Sequence, residues 1–148
     1  MLEVLKTLAS IALINAAVWG LFLWHRRVLM AKAWAEIERA GESWVIPPQS
    51  GYYHGMLRGI ISAKTAGAMG LTDSVLIFIP PLGGRIEFAL KDMVGVSDNT
   101  WFAGNYRMGR LFLILEFANG RKVGFQVDNH QRWMQELKSR IPSAPTDQ

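Results

Sequence analysis

The chain contains no cysteine. Disulfides, thiolate nucleophiles and cysteine-based metal sites are therefore excluded, although the compartment is left open. Histidine is scarce as well: His25, His54 and His130 stand far apart, without metal-ligand spacing. No G-x-S-x-G elbow accompanies the serines. The glycine-rich Pro81-Leu82-Gly83-Gly84-Arg85 lacks the P-loop pattern and reads as a hairpin turn. Asp92 and Asp98 flank a short expected strand and read as turn residues rather than a carboxylate pair. With no nucleophile, acid–base pair or metal set in view, the chain is expected to be non-enzymatic, with no catalytic, cofactor-binding or metal-binding residues.

Dense basic runs are missing too. The formal net charge of +4 over 148 residues is spread as zero over 1–24, +1 over 25–42 and +3 over 43–148. A nucleic-acid binder carries a basic stripe or a recognisable motif, and neither is found. Mild, diffuse basicity suits a domain held beside an anionic membrane surface.

Charge is scarcest at the N-terminus, where Glu3 and Lys6 are the only charged residues among the first 24. Thr7 to Trp24 is an uncharged, largely apolar run of eighteen residues. As a helix it spans about 27 Å, close to the hydrocarbon thickness of a bilayer. Trp19 and Trp24 fall toward one end, as interfacial aromatics do, and His25-Arg26-Arg27 follows at once. One Lys/Arg precedes the run (Lys6) and four follow it (Arg26, Arg27, Lys32, Arg39). The reading is a single-pass anchor in the plasma (inner) membrane, N-terminus outside and C-terminal domain cytoplasmic, with Trp19, Trp24, Arg26 and Arg27 as interface anchors. A cleaved signal peptide, with Ala31-Lys32-Ala33 as the small-x-small site, and a buried helix of a soluble protein are the competing readings. The nearly neutral start, long apolar run and following arginines favour the anchor.

The helix has unlike faces. Ala9, Ala12, Ala16 and Gly20 form a small-residue stripe, with Asn15 beside it, and Ile11, Ile14, Val18, Leu21 and Phe22 lie largely opposite. Small residues admit a second helix, and an intramembrane amide seeks a partner, so Ala9, Ala12, Asn15, Ala16 and Gly20 are the expected packing residues. The alternative is that alanine is common in such helices and Asn15 is merely tolerated. Helix-forming residues continue without proline or glycine to Gly41, a helix stop, which extends the rod to about Ala40. Trp34 and Ile37 share a face, either against the following domain or in the interface. Pro47-Pro48 forces extended chain and marks a boundary. The expected divisions are 1–24 anchor, 25–48 juxtamembrane helix and linker, 49–141 folded domain and 142–148 disordered tail.

The folded domain reads as strands: Tyr52–Ile61, Ala66–Thr72, Ser74–Pro80, Arg85–Leu90, Met93–Ser97, Leu111–Phe117 and Lys122–Val127. Asn119-Gly120 is the strongest hairpin signal. In the last strand Val123, Phe125 and Val127 face inward. Asp128 or Asn129 then caps a helix running to about Arg140, with Trp133, Leu137 and Ile141 on one face. This is a mainly β fold: seven antiparallel strands in a sandwich or barrel, one open end plugged by the C-terminal helix through Trp133.

Asn99–Arg110, read as a loop, is the least ordinary segment. It gathers Trp101, Phe102, Tyr106, Arg107, Met108 and Arg110 around Gly104 and Gly109. Aromatics with arginine are the composition of interface hot spots and also suit insertion at a lipid interface. The alternative is that Trp101 and Phe102 cap the core.

The segment from about Gly51 to Ile141 resembles the pleckstrin-homology-like superfamily, particularly bacterial PH-like and GRAM-like domains. The residues that carry the resemblance are Gly70-Leu71-Thr72, Leu76-Ile77-Phe78, the run Ile86 to Val96, the run Phe117 to Phe125, and Trp133 to Leu137. The match covers about 90 residues, mostly by element order and apolar spacing. The resemblance implies binding of lipid head groups, peptides or other proteins. Phosphoinositide-binding members cluster Lys/Arg around the first hairpin, where this chain has only Arg58 and Lys64. The expectation is a membrane-tethered interaction module that binds a protein partner, with membrane lipid around its anchor. An accessory subunit of a larger integral-membrane complex and a lipid head-group sensor are the alternatives.

Overall fold

A computed structural model describes residues 2–40, 43–57, 64–106 and 108–142. The expectations placed on Gly41, Arg58, Ile61, Arg107 and the tail after Pro142 lie outside them. Helix α1 (Leu2–Arg39) is unbroken over 38 residues, about 57 Å of rod. It is long and apolar enough to cross a membrane, with mean hydropathy 1.7 in its most apolar stretch and none of that stretch buried against the rest of the chain.

Strands β1 (Trp44–Leu57), β2 (Thr65–Thr72), β3 (Val75–Ile79), β4 (Ile86–Ala89), β5 (Met93–Asn99), β8 (Phe112–Phe117) and β9 (Lys122–Val127) form one curled antiparallel sheet. Its order is β4-β3-β2-β1-β9-β8-β5, a half-barrel rather than a sandwich. These are the seven strands expected from the alternation of apolar residues. Two further short strands, β6 (Trp101–Phe102) and β7 (Asn105–Tyr106), make a separate ribbon between β5 and β8. Asp98, expected in a turn, lies inside β5.

β1 begins at Trp44, so Pro47 and Pro48 lie within a strand instead of marking its boundary. Two features accommodate them. The register steps from Ile46↔Leu71 to Gln49↔Met69, a bulge that removes the need for proline N–H groups, and β9 joins β1 only from Gly51 onward. A second irregularity between Tyr53 and Met56 contains Gly55 at φ 98°.

The concave face holds the main core, including Tyr53, Met69, Leu76, Phe78, Phe88, Leu113, Leu115, Val123 and Phe125. Tyr53 packs against Phe78 and Phe125 at ring separations of 5.6 and 5.4 Å, and its burial pushes the phenol pKa up. Helix α2 (His130–Arg140) closes one end with Trp133 and Leu137, both fully buried. Asn129 caps it by accepting from the Arg132 N–H at 3.3 Å. Three contacts tie α2 to the rim: Arg132 to the Val45 carbonyl (3.2 Å), His130 to Asp98 (3.3 Å) and Arg140 to Asp73 (3.5 Å).

The convex face is covered twice. Ala33 and Ile37 of α1 are buried with Ala68, Ile77 and Ile79, flanked by Trp34, Trp44 and Val75. The end of α1 is thus docked on β2 and β3, which settles the placement of the Trp34/Ile37 face in favour of the domain. The Trp44 ring lies so close over Gly70 that a Cβ there would stand 2.5 Å from it. The ribbon makes the second cover, through Phe102 on Phe112 and Ile114.

Candidate functional site

The ribbon is built by local chemistry. The Asn99 side chain accepts from the Trp101 N–H at 3.1 Å and launches it. Ala103 (φ 48°) and Gly104 (φ 76°) form the two-residue turn, both in the left-handed region that such hairpins require. Asn105 fastens the turn by donating to the carbonyls of Phe102 (3.2 Å) and Ala103 (2.9 Å). Lys64 Nζ donates to Asn105 Oδ1 at 2.6 Å, which ties the ribbon to the start of β2. Lys64 is therefore engaged within the chain rather than standing in a basic cluster.

Strand alternation splits the aromatic residues of this segment. Phe102 turns inward and is 3% exposed, with its ring on Gly124, where a Cβ would come within 2.4 Å of it. It belongs to the core and leaves the group of expected contact residues. Trp101 and Tyr106 face out, 56% and 59% exposed, with rings 6.4 Å apart. Met108 is 89% exposed, Leu111 and Arg110 are exposed beside it, and Arg107 lies outside the described residues. The expected site thus divides into a buried anchor and an exposed apolar surface bearing Arg110.

Beside the ribbon runs a groove of about 630 Å³, lined by Ser50, Tyr52 and Ala66, by Arg110 and Leu111, and by Gln126, Asp128 and His130. Beneath it, His54 is 2% exposed. Its ring meets Tyr52 at 4.6 Å and Phe112 edge-on at 4.7 Å, and its Nε2 lies 3.0 Å from Gln126 Oε1. His54 therefore meets an amide at this nitrogen, not a carboxylate. Among the described residues no group of three or more His, Asp or Glu could hold a metal ion. The chain matches no protein-family model, and no curated protein matches it.

On the far side of the ribbon, Glu116 accepts from Lys122 (2.9 Å) and Ser97 (3.2 Å). The Lys122 hydrogen bond is the main cause holding its carboxyl below the usual glutamate range.

Along α1, Trp19, Trp24, Arg26 and Arg27 are exposed, and Trp19 meets Phe22 edge-on at 6.0 Å. Ala9, Ala12, Asn15, Ala16 and Gly20 are exposed too, with open space around Gly20. Asn15 Nδ2 donates to the Ile11 carbonyl one turn back, at 3.0 Å. Part of the amide's hydrogen-bonding capacity is thus met within its own helix, which weakens the argument that it must reach a second one.

The groove was not anticipated. Gln126 was legible as an outward residue between Val123, Phe125 and Val127. That Ser50, Tyr52 and Arg110 would join it depends on β1 lying beside β9, which alternation does not specify.

Proposed function

We propose that this chain is a membrane-tethered, non-enzymatic interaction module of the PH-like or GRAM-like kind, which binds a protein partner through the exposed face of the ribbon. The observation that carries the reading is the outward pair Trp101 and Tyr106, with Met108 and Arg110 beside it, on a ribbon pinned by Phe102. Large apolar side chains are ordinarily withdrawn from water, and a pinned hairpin loses little entropy when it binds. Tethering supports the reading, because a module confined to a membrane needs only modest affinity for a partner there. In this proposal the apolar part of α1 spans the inner membrane, N-terminus outside, as the excess of Lys/Arg after the span favours.

Photo-crosslinking from position 101 in intact membranes tests the contact. A discrete protein adduct is expected, lost in a Trp101→Ala/Tyr106→Ala variant whose thermal unfolding is unchanged. Adducts to lipid alone would overturn the protein reading. A second form of the proposal is an accessory subunit packed through the Ala9/Ala12/Ala16/Gly20 stripe, which stays open along α1. A monomer without companions after purification in mild detergent would sink that form.

A further inference from the structure

We infer that the end of the half-barrel opposite α2 rests on the bilayer that α1 crosses, with the turn between β3 and β4 at the contact and Leu82 entering the lipid interface. The inference rests on the proposed membrane span of α1. It adds which end of the sheet meets lipid, and through which residue.

The direction of α1 over the sheet decides which end that is. The patch that Ala33 and Ile37 cover runs along β3 through Val75, Ile77 and Ile79, so α1 lies lengthwise over the strands. Its last residue, Arg39, is followed closely by Trp44, which pairs with Thr72 at the end of β2. The five Cα steps between them reach at most about 18 Å. A reversed α1 would leave Arg39 beyond the Thr65 end of β2, and that strand is itself about 23 Å long. Helix α1 therefore ends toward Thr72, the end that α2 ties through Val45 and Asp73. Followed back toward its N-terminus, it passes the opposite end, where Ala68 pairs with Ile79 and the chain enters the turn at Pro80.

No spacer separates that end from the membrane. Every described residue of α1 through Arg27 is exposed, whereas Val28, Leu29 and Met30 are half-covered and Ala33 is buried. With the apolar run ending at Trp24, a head-group layer about 5–7 Å deep extends to about Val28, where this cover begins. The turn reaches the same height. Leu82 follows Ile79 by about 10 Å of extended chain, and Arg27 precedes Ala33 by about 9 Å of helix. Its chemistry suits lipid as well. Pro80-Pro81-Leu82-Gly83-Gly84 carries no charge, Leu82 is 73% exposed, and Gly83 at φ 114° holds the bend. Arg85 at its base pairs with Glu87. The turn thus presents an apolar side chain on a preformed bend, as interfacial insertion requires. Because α1 already holds the domain at this surface, weak insertion is enough to seat it.

The test uses the full chain in nanodiscs of uncharged phosphatidylcholine, with no other protein bound. The chain has no cysteine, so a nitroxide can be placed at one position at a time. Gly84 has open space where its Cβ would stand, and takes the label beside an unaltered Leu82. A label on Gly84→Cys is expected to collide with oxygen, which concentrates in lipid, and to be shielded from a water-soluble nickel chelate. The same label on Ser74→Cys, exposed at the opposite end of β3, should show the reverse. Adding Leu82→Asp should return the Gly84 label to the chelate while thermal unfolding stays unchanged. A Gly84 label open to the chelate from the outset would overturn the inference and leave the turn to a protein partner. So would a Leu82→Asp variant that keeps the label shielded, or a Ser74 label as well shielded as the one at Gly84. A label on Ile14→Cys separates the two levels. If it lies in lipid while the Gly84 label lies in water, the span stands and the seating of the turn falls. If both lie in water, the span itself falls.

Discussion

Two small residues decide whether the ribbon can exist. Gly124 leaves room for the Phe102 ring on the convex face, and Ala103 accepts a left-handed turn conformation at φ 48°. A Cβ at 124 forces the ring or the strand to move. Gly124→Ala is accordingly expected to cost about 1–3 kcal/mol in denaturant unfolding. A smaller residue at 102 in the same chain should return part of the loss. Ala103→Asn should act the other way, since asparagine tolerates the left-handed region and Asn-Gly is the preferred turn pair. A gain of about 0.5–1 kcal/mol is expected. Glu116 gives a pH signature. Its folded-state pKa is lowered, chiefly by Lys122, so its contribution is complete above the unfolded-state value and lost as pH falls through the lowered one. The pair is largely exposed, so the effect is small, within about 1 kcal/mol. In melting temperatures measured below about pH 4.5, Glu116→Gln should flatten the fall slightly and change little near neutrality.

At the level of elements, the dock between α1 and the sheet is the contact most open to test. Ile37 is fully buried against β2 and β3, in a patch whose sheet side includes the small residue Ala68. Ile37→Ala should cost about 2–5 kcal/mol, with hydrogen exchange rising first in β2 and β3. An unchanged exchange pattern would mean that the dock contributes nothing. All seven sheet strands and both helices were legible, because burial on one face writes a period of two into strands such as β9 and a longer period into α2. The ribbon was not. Strands of two residues are too short to alternate visibly, and Ala103-Gly104 lacks the Asn or Asp that marks such turns. For the same reason Phe102 looked like a companion of Trp101, although adjacent strand residues face opposite ways. Pro47-Pro48 misled because a proline pair signals a break only where both strand edges need N–H donors.

For the whole molecule, the sheet and α1 make one body across the dock. A fragment of residues 43–148 would bare the apolar surface of Ala68, Ile77 and Ile79. It is expected to self-associate in gel filtration, whereas the full chain in detergent should elute as a discrete species. The absence of cysteine makes orientation easy to measure. Under the proposed topology, a cysteine at Lys6 should react with a membrane-impermeant maleimide on intact cells, and one at Lys138 only after lysis. The reverse pattern would invert the proposed topology.

Because α1 runs without a break from its apolar half into the dock, the sheet inherits a rotational phase from the helix. Each residue between Arg27 and Ala33 sets about 100° of azimuth and 1.5 Å of height. One alanine inserted there swings the ribbon by about 100° to face another quarter of the membrane plane. Four insertions bring it back to within about 40°, raised by about 6 Å. A partner held in the same bilayer should then be lost with one added residue and partly regained with four, like a key returned almost to its slot.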